Sequence, residues 1–167
     1  MARVDIEQIE VVGAIVLRLQ TALTLSDRQV YPVARARDVP LIPVGGDYFL
    51  TVATGDGTFV PEEQVAGNIT EDSDVTVSVY TRIRSDSTGH DAYLLLDDAR
   101  GLFAVKKLIL GALCGQDLID ESGSTFLRQL IFAKHCEAPD IVTAGRDGVA
   151  CGVIRLTFGV NYDWSIV

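Results

Sequence analysis

The stretch that decides the fold reads Ile154-Arg155-Leu156-Thr157-Phe158-Gly159-Val160-Asn161-Tyr162-Asp163-Trp164. Every second residue, from the isoleucine to the tryptophan, is large and apolar, and the residues between them are polar or small. Side chains of a strand point alternately to its two faces, so a period of two over this length predicts a β-strand. One face of the strand is expected to be buried, and the other to be wet or to lie against a partner.

Two helices are predicted where apolar residues recur at steps of three and four. The first covers 6–23, where isoleucine, valine and leucine form one stripe. The second covers about 89–113, and its apolar stripe includes Leu102, Phe103 and Ile109. Gly115 is the expected C-cap of this second helix.

Further strands are predicted on either side of the second helix. They lie at 29–33, 48–54, 75–84, 126–135 and 141–143. Because proline cannot donate to a sheet ladder, Pro32 confines the first of them to an edge. This order predicts an α+β fold: a mixed, mainly antiparallel sheet of four to five strands with two helices packed on one face. Residues 1–167 are expected to form a single domain with a long acidic loop at about 55–74.

The chain is acidic, with a formal net charge of −9. Duplex DNA repels such a chain at long range, which argues against a DNA-binding module. The same sign suits a surface past which DNA slides without adhering, although acidity also simply favours solubility. The sequence predicts no membrane span and no signal peptide, and its three cysteines are expected to be buried thiols in a reducing compartment.

The search for a catalytic, cofactor or metal site gives no candidate. Of the two histidines, His135 adjoins Cys136 on a predicted strand, where neighbours point to opposite faces and cannot easily share a metal. Gly55-Asp56-Gly57 lacks the rest of a dinucleotide-binding fingerprint, and no phosphate-binding Gly-Lys-Ser run occurs. The sequence therefore predicts neither an enzyme nor a bound cofactor or metal.

Two groups of opposite charge are the candidate contacts with a partner. The basic group is Arg28, Arg35 and Arg37. The acidic group is Asp56, Glu62, Glu63, Glu71, Asp72 and Asp74. Both groups are compatible with solvated loops; alternatively, the arginines meet the carboxylates of a neighbouring copy. A contact between two different patches of one chain is head-to-tail, and such contacts close into rings when the rotation permits.

On these elements the chain resembles the tail terminator, or tail completion, proteins of long-tailed bacteriophages. The likeness covers most of the chain and is one of pattern. It is carried by the amphipathic opening helix leading into Gln29-Val30-Tyr31-Pro32, the stretch Val39-Pro40-Leu41-Ile42-Pro43, the strand 75–84 that enters the helix 91–113, and the closing run 154–164.

The resemblance implies a virion protein, made in the host cytoplasm, that forms a homo-oligomeric ring on the head-proximal end of the tail tube. Such rings are commonly six-fold. The implied partners are other copies of the chain, the tail tube protein and the neck or connector protein. A ring of this kind halts tube growth, presents a surface to the neck and lets DNA pass through its lumen without specific binding.

Other classes stay open at the level of sequence. A neck adaptor, a head-closure subunit or a tube-related virion protein would be built in a similar way. A small α+β enzyme or ligand-binding domain would need a concave pocket with converging polar groups, and the sequence offers no such cluster. An acidic cytosolic adaptor is the least specific alternative.

Overall fold

The computed structural model describes residues 8–37, 48–61, 68–82, 101–119, 125–127, 131–144 and 149–165. Two α-helices lie in these ranges, α1 (Gln8–Leu23) and α2 (Leu102–Leu113). The strands are β1 (Val30–Pro32), β2 (Tyr48–Phe59), β3 (Asn68–Arg82), β4 (Leu118–Ile119), β5 (Thr125–Leu127), β6 (Ile131–Cys136), β7 (Asp140–Ala144) and β8 (Val149–Ser165).

Six of these strands form one sheet. β1, β2, β3 and β8 lie side by side in that order, and both β6 and β7 pair with the far edge of β8. All pairs in this sheet are antiparallel except β1 with β2, which is parallel. β4 and β5 form a separate two-stranded sheet. The predicted α+β class with a mixed, mainly antiparallel sheet is confirmed, with six strands in place of four to five.

The closing strand β8 organises the sheet. It pairs with β3 from Cys151 to Ser165 and with β6 and β7 along its other edge. Its alternating apolar side chains face the helices and are buried; they are Ile154, Leu156, Phe158 and Val160. The strand predicted at 154–164 is therefore confirmed and begins earlier, at Val149.

Both helices cover this same face of the sheet. α1 buries Val11, Ile15 and Leu19, which stand four residues apart and so line one side of the helix. α2 buries Val105 and Ile109, together with its terminal leucines, in the same cluster. The two helices also contact each other, so the helical layer is continuous over the sheet. No helix in the described ranges has the length and apolar character needed to cross a membrane.

The predicted helix at about 89–113 is confirmed only for its second part. α2 begins at Leu102, because Gly101 is extended, with φ −64° and ψ 152°. A glycine in a helix interior costs about 1 kcal/mol relative to alanine, so it is a natural place for a helix to begin. Residues 89–100 lie outside the described part of the chain. Gly115 has a φ of +68°, the left-handed conformation that ends many helices.

The acidic segment 55–74 is not one long loop, which corrects the prediction. β2 continues to Phe59 and β3 begins at Asn68, and the two strands pair in an antiparallel ribbon. A bulge between Thr54 and Gly57 adds one residue to β2. Periodicity missed this ribbon because residues 55–59 are exposed and therefore need no apolar alternation. Residues 62–67, including Glu62 and Glu63, lie outside the described ranges.

The opposite face of the sheet carries a second, smaller apolar cluster. The rings of Phe49 and Tyr80 stack with centroids 5.0 Å apart, and Cys151 and Val153 are buried beside them. The chain after β1 contacts this face, where Oγ of Ser78 donates a hydrogen bond to the carbonyl of Ala36 at 3.2 Å. The face expected to be wet is therefore partly covered by the chain itself.

Candidate assembly surfaces

The outer side of α2 carries exposed apolar residues on either side of Lys107. Phe103 and Leu108 are 47% and 50% exposed, and the two charged residues of this helix are Lys106 and Lys107. The spacing of apolar residues predicts Phe103 in the apolar stripe of this helix, but the structure places its side chain on the solvent-facing side. Groups of exposed apolar side chains are typical of interaction surfaces. The outer side of α2 therefore has the character of a contact surface.

A groove runs between the C-terminal half of α1 and the outer side of α2. We call it the α1–α2 groove, and its volume is about 770 Å³. Several of the residues that line the groove have small side chains, and two have cationic side chains. The lining includes Arg18, Ala22, Ala104, Lys107, Leu108 and Gly111.

Arg18 joins the two helices at this groove. Its Nε donates to the carbonyl of Ala112 at 3.0 Å, and its Nη2 donates to Oε1 of Gln116 at 3.2 Å. Both acceptors are neutral, so these bonds fix the guanidinium without cancelling its charge. In the described part of the chain, Lys106 and Lys107 take part in no salt bridge. The groove and its rim are consequently electropositive in a chain of net charge −9.

The acidic ribbon is the second candidate surface, and we define it as residues 55–59 of β2 and 69–73 of β3. Asp56 and Asp72 are exposed on it, and Phe59, at the end of β2, is 55% exposed. Beyond Val52, β2 has no strand partner on its outer side in the described part of the chain, because β1 pairs only with Leu50, Thr51 and Val52. The ribbon thus offers an open edge, an aromatic ring and acidic side chains.

At least three of the predicted acidic contacts, Glu71, Asp72 and Asp74, interact within the chain. Glu71 is buried, and its carboxylate occupies the space beside Gly57 where a side chain would stand. Asp74 accepts a hydrogen bond from Nζ of Lys134 at 2.7 Å, which ties β3 to the bulge in β6. Glu62 and Glu63 lie outside the described residues. Among the described members of the group, Asp56 and Asp72 are the exposed ones, and Asp72 also interacts within the chain.

The structure also places the three arginines of the predicted basic group in different environments. Arg28 and Arg35 are exposed. Arg37 forms a salt bridge within the chain, with its Nη2 3.2 Å from Oε1 of Glu137. The other oxygen of Glu137 binds Arg155, whose guanidinium is nearly buried on the second face of the sheet. Sequence reasoning missed Glu137 and Arg155, although an arginine among small outward residues of a strand is a usable signal.

The edge formed by β6 and β7 is a third exposed surface. Phe132 and Ile141 are about half exposed there. Open strand edges readily pair with other chains, and this edge carries devices that oppose such pairing. They are the bulge in β6 and the interruption at Pro139 between the two strands. This edge is consequently a poorer candidate for assembly than the groove or the ribbon.

No arrangement in the described residues resembles a reactive centre. Groups of three or more histidine, cysteine or acidic side chains that could hold a metal are absent from them. His135 is exposed, whereas Cys136 packs against the helical core, as neighbours on a strand must. Burial raises the pKa of Tyr31 to about 12, and the nearby Tyr80 adds to that rise. The phenol therefore stays protonated at neutral pH.

Comparison with known proteins gives a limited result. No family model matches the chain, and no curated protein matches it. Among solved structures, a chain from the virion of a native gene transfer agent (GTA) particle matches with 16% identity and a TM-score of 0.41. The match covers 87% of this chain and 84% of that chain. A likeness of this size establishes neither a family nor a function for this chain.

Proposed function

We propose that this chain is a structural virion subunit of the tail-terminator type, acting through its surfaces and not through catalysis. In this proposal copies of the chain form a ring, six-fold as in the family it resembles, on the head-proximal end of the tail tube. The ring ends the tube and joins it to the neck. The observation that carries the proposal is the exposure of Phe103 and Leu108 on the outer side of α2, beside the cationic Lys107.

The choice of the tail terminator class rests on the sequence pattern, and the described elements fit that pattern. The amphipathic α1 leads into the edge strand β1, which contains Pro32. β8 closes the sheet as its longest strand. These are two of the features that carry the resemblance; the proline-rich stretch 39–43 lies outside the described residues.

A ring is favoured over a two-fold dimer because the two candidate surfaces differ. The α1–α2 groove is lined by cations and belongs to the helical layer, whereas the acidic ribbon belongs to the sheet. A contact between unlike patches is heterologous, and heterologous contacts close into rings or continue as filaments. A ring fits a tube end because it presents one face to the tube and the other to the neck.

The acidity of the chain acquires a role in this proposal, since an acidic lumen repels DNA and lets it pass. The test is to neutralise Glu62 and Glu63 together with amide replacements and to measure DNA ejection from assembled particles. Slower or incomplete ejection supports the acidic lumen. Unchanged assembly and unchanged ejection contradict it.

The experiment that tests the class of virion protein mixes the purified chain separately with isolated tail tubes and with DNA-filled heads. A tail terminator binds one end of the tubes and blocks their further growth, as electron microscopy of the mixtures would show. Binding to heads alone would instead favour a neck adaptor or head-closure subunit. Binding to neither, together with a bound small molecule found by mass spectrometry, would favour an enzyme or ligand-binding domain.

A further inference from the structure

We infer that the α1–α2 groove receives the acidic ribbon of a second copy of this chain, with Phe59 seated against Leu108 and Gly111 and with Asp56 facing Lys107. The inference rests on the proposed function in one respect, namely that copies of the chain bind one another. It adds the location of the contact, which the sequence had placed at Arg28, Arg35 and Arg37.

The groove has the shape that an inserted aromatic ring requires. Ala22, Ala104 and Gly111 line it with little side-chain volume, and a Cβ added at Gly111 would meet no described atom within 4 Å. Leu108 is half exposed at this site and gains burial when covered. Covering an apolar surface contributes about 25 cal/mol per Å², so a large ring is the most effective occupant of such a hollow.

The ribbon supplies a side chain that fits this hollow. Phe59 stands at the end of β2, on the part of the strand that has no partner on its outer side in the described residues. More than half of its surface is exposed, and the four ribbon residues that precede it on β2 are polar or glycine. Aromatic side chains, phenylalanine among them, are enriched in the buried cores of interfaces.

Charge identifies the occupant as another copy of the same chain. Lys107 lines the groove and Arg18 is held beside it by neutral acceptors, whereas Asp56 is exposed on the ribbon. Opposite potentials on two patches of one sequence favour their mutual recognition and repel the approach of like patches. The group of Arg28, Arg35 and Arg37 is a weaker candidate for this contact, because Arg37 already forms a salt bridge with Glu137 within the chain.

The test uses two charge-reversal variants, Lys107→Glu and Asp56→Lys, with the mass of the assembly measured by analytical ultracentrifugation. Each variant alone is expected to weaken self-association about 10-fold or more, because each places like charges together in every contact. An equimolar mixture is expected to restore assembly. In an alternating ring, the grooves that carry the new glutamate would meet the ribbons that carry the new lysine. The remaining contacts would keep the original pairing of Lys107 with Asp56.

Two matched variants control for charge and for apolar surface. Arg28→Glu reverses a charge outside the groove and is expected to leave assembly unchanged. A loss of assembly with this variant would indicate that the contact lies at the arginine group and not at the groove. Phe59→Ser is expected to weaken assembly by about 30-fold, the scale of a hot-spot residue, while Ile141→Ser on β7 has little effect.

The outcomes separate this inference from the proposed function. If the unmodified chain forms rings that persist in Lys107→Glu, Asp56→Lys and Phe59→Ser, the groove contact is wrong and the ring proposal stands. If the unmodified chain stays monomeric at high concentration, both fail. Recovery of assembly in the mixture also shows that each single variant was folded.

Discussion

Glu137 joins Arg155 to Arg37 across the second face of the sheet. Oε2 of Glu137 lies 3.2 Å from Nη1 of Arg155, and Oε1 lies 3.2 Å from Nη2 of Arg37. The two arginine side chains differ greatly in exposure, at 7% for Arg155 and 74% for Arg37. The single carboxylate of Glu137 therefore interacts with two positively charged guanidinium groups, one buried and one exposed.

Replacement of Glu137 by glutamine is expected to lower the free energy of unfolding by about 1–3 kcal/mol, because Arg155 keeps its buried charge and loses its anionic partner. Nε of Arg155 already has no hydrogen-bond partner among the described residues, so the site has little capacity to compensate. Urea unfolding followed by circular dichroism measures the change. The matched variant Arg37→Gln removes only an exposed pair and is expected to cost less than about 1 kcal/mol. Equal losses in the two variants would contradict this account of the face.

The ring of Phe132 lies across Gly159 of β8 and makes a side chain at that position unfavourable. A Cβ built on Gly159 would stand 2.6 Å from Cε2 of Phe132 and 2.9 Å from Cδ of Lys134. Gly159→Ala is expected to destabilise the protein by about 1–3 kcal/mol through overpacking. In a Phe132→Ala background the same replacement should cost clearly less, which a double-mutant cycle would measure.

Gly13 is the matched control for Gly159. It is exposed on α1, and a Cβ there would meet no described atom within 4 Å. Gly13→Ala is expected to stabilise the protein by up to about 1 kcal/mol, because alanine is the better helix former. A stabilising effect at position 159, or a destabilising one at position 13, would contradict the packing described here.

Tyr31 is expected to make stability fall at high pH. Burial, with a contribution from Tyr80, raises its pKa from 10.0 to about 12 in the folded protein. The folded state therefore binds the phenolic proton more tightly, so this contribution is fully present below about pH 10 and is lost as the pH rises towards about 12. Urea unfolding across this range measures the loss, and Tyr31→Phe should flatten the curve. An unchanged curve in that variant would contradict the assignment.

The three cysteines are expected to differ in reactivity. Cys151 is fully buried under the second face of the sheet, whereas Cys114 and Cys136 are half-buried. Because reaction requires access of the reagent to the thiolate, Cys151 should label with a maleimide only after unfolding. Mass spectrometry of labelled peptides from the native protein reads out this order. Labelling of Cys151 as fast as Cys114 would contradict the burial of the second cluster.

The sequence predicted the parts of the fold that depend on a single periodic face. α1 and β8 each bury one regular stripe, as at Ile15 and Leu19 or at Leu156 and Phe158, and both elements were located from that spacing. The sequence did not predict the acidic ribbon, because its strands are exposed to solvent and residues 55–59 have the composition typical of a loop. Its glycines are required by close contacts, such as Glu71 beside Gly57, that only the paired strands create.

The candidate surfaces were predictable only in part. Charge alone identified Asp56 and Asp72, but it could not show that Asp74 is paired with Lys134 or that Arg37 is paired with Glu137. These partners are distant in sequence and meet only through the sheet. The α1–α2 groove depends in the same way on the packing of two helices. The exposure of Phe103 contradicts its assignment to the buried stripe. The assignment was wrong because the spacing of a wide apolar stripe does not show which of its two edges faces the core.

The central claim is that this protein functions by assembling with copies of itself through unlike surfaces. Native mass spectrometry of the purified chain at high concentration, combined with electron microscopy of the same sample, tests it most directly. The account predicts a closed oligomer whose mass is a whole multiple of 18.0 kDa and whose images are annular. A single species of 18.0 kDa at every concentration would contradict it.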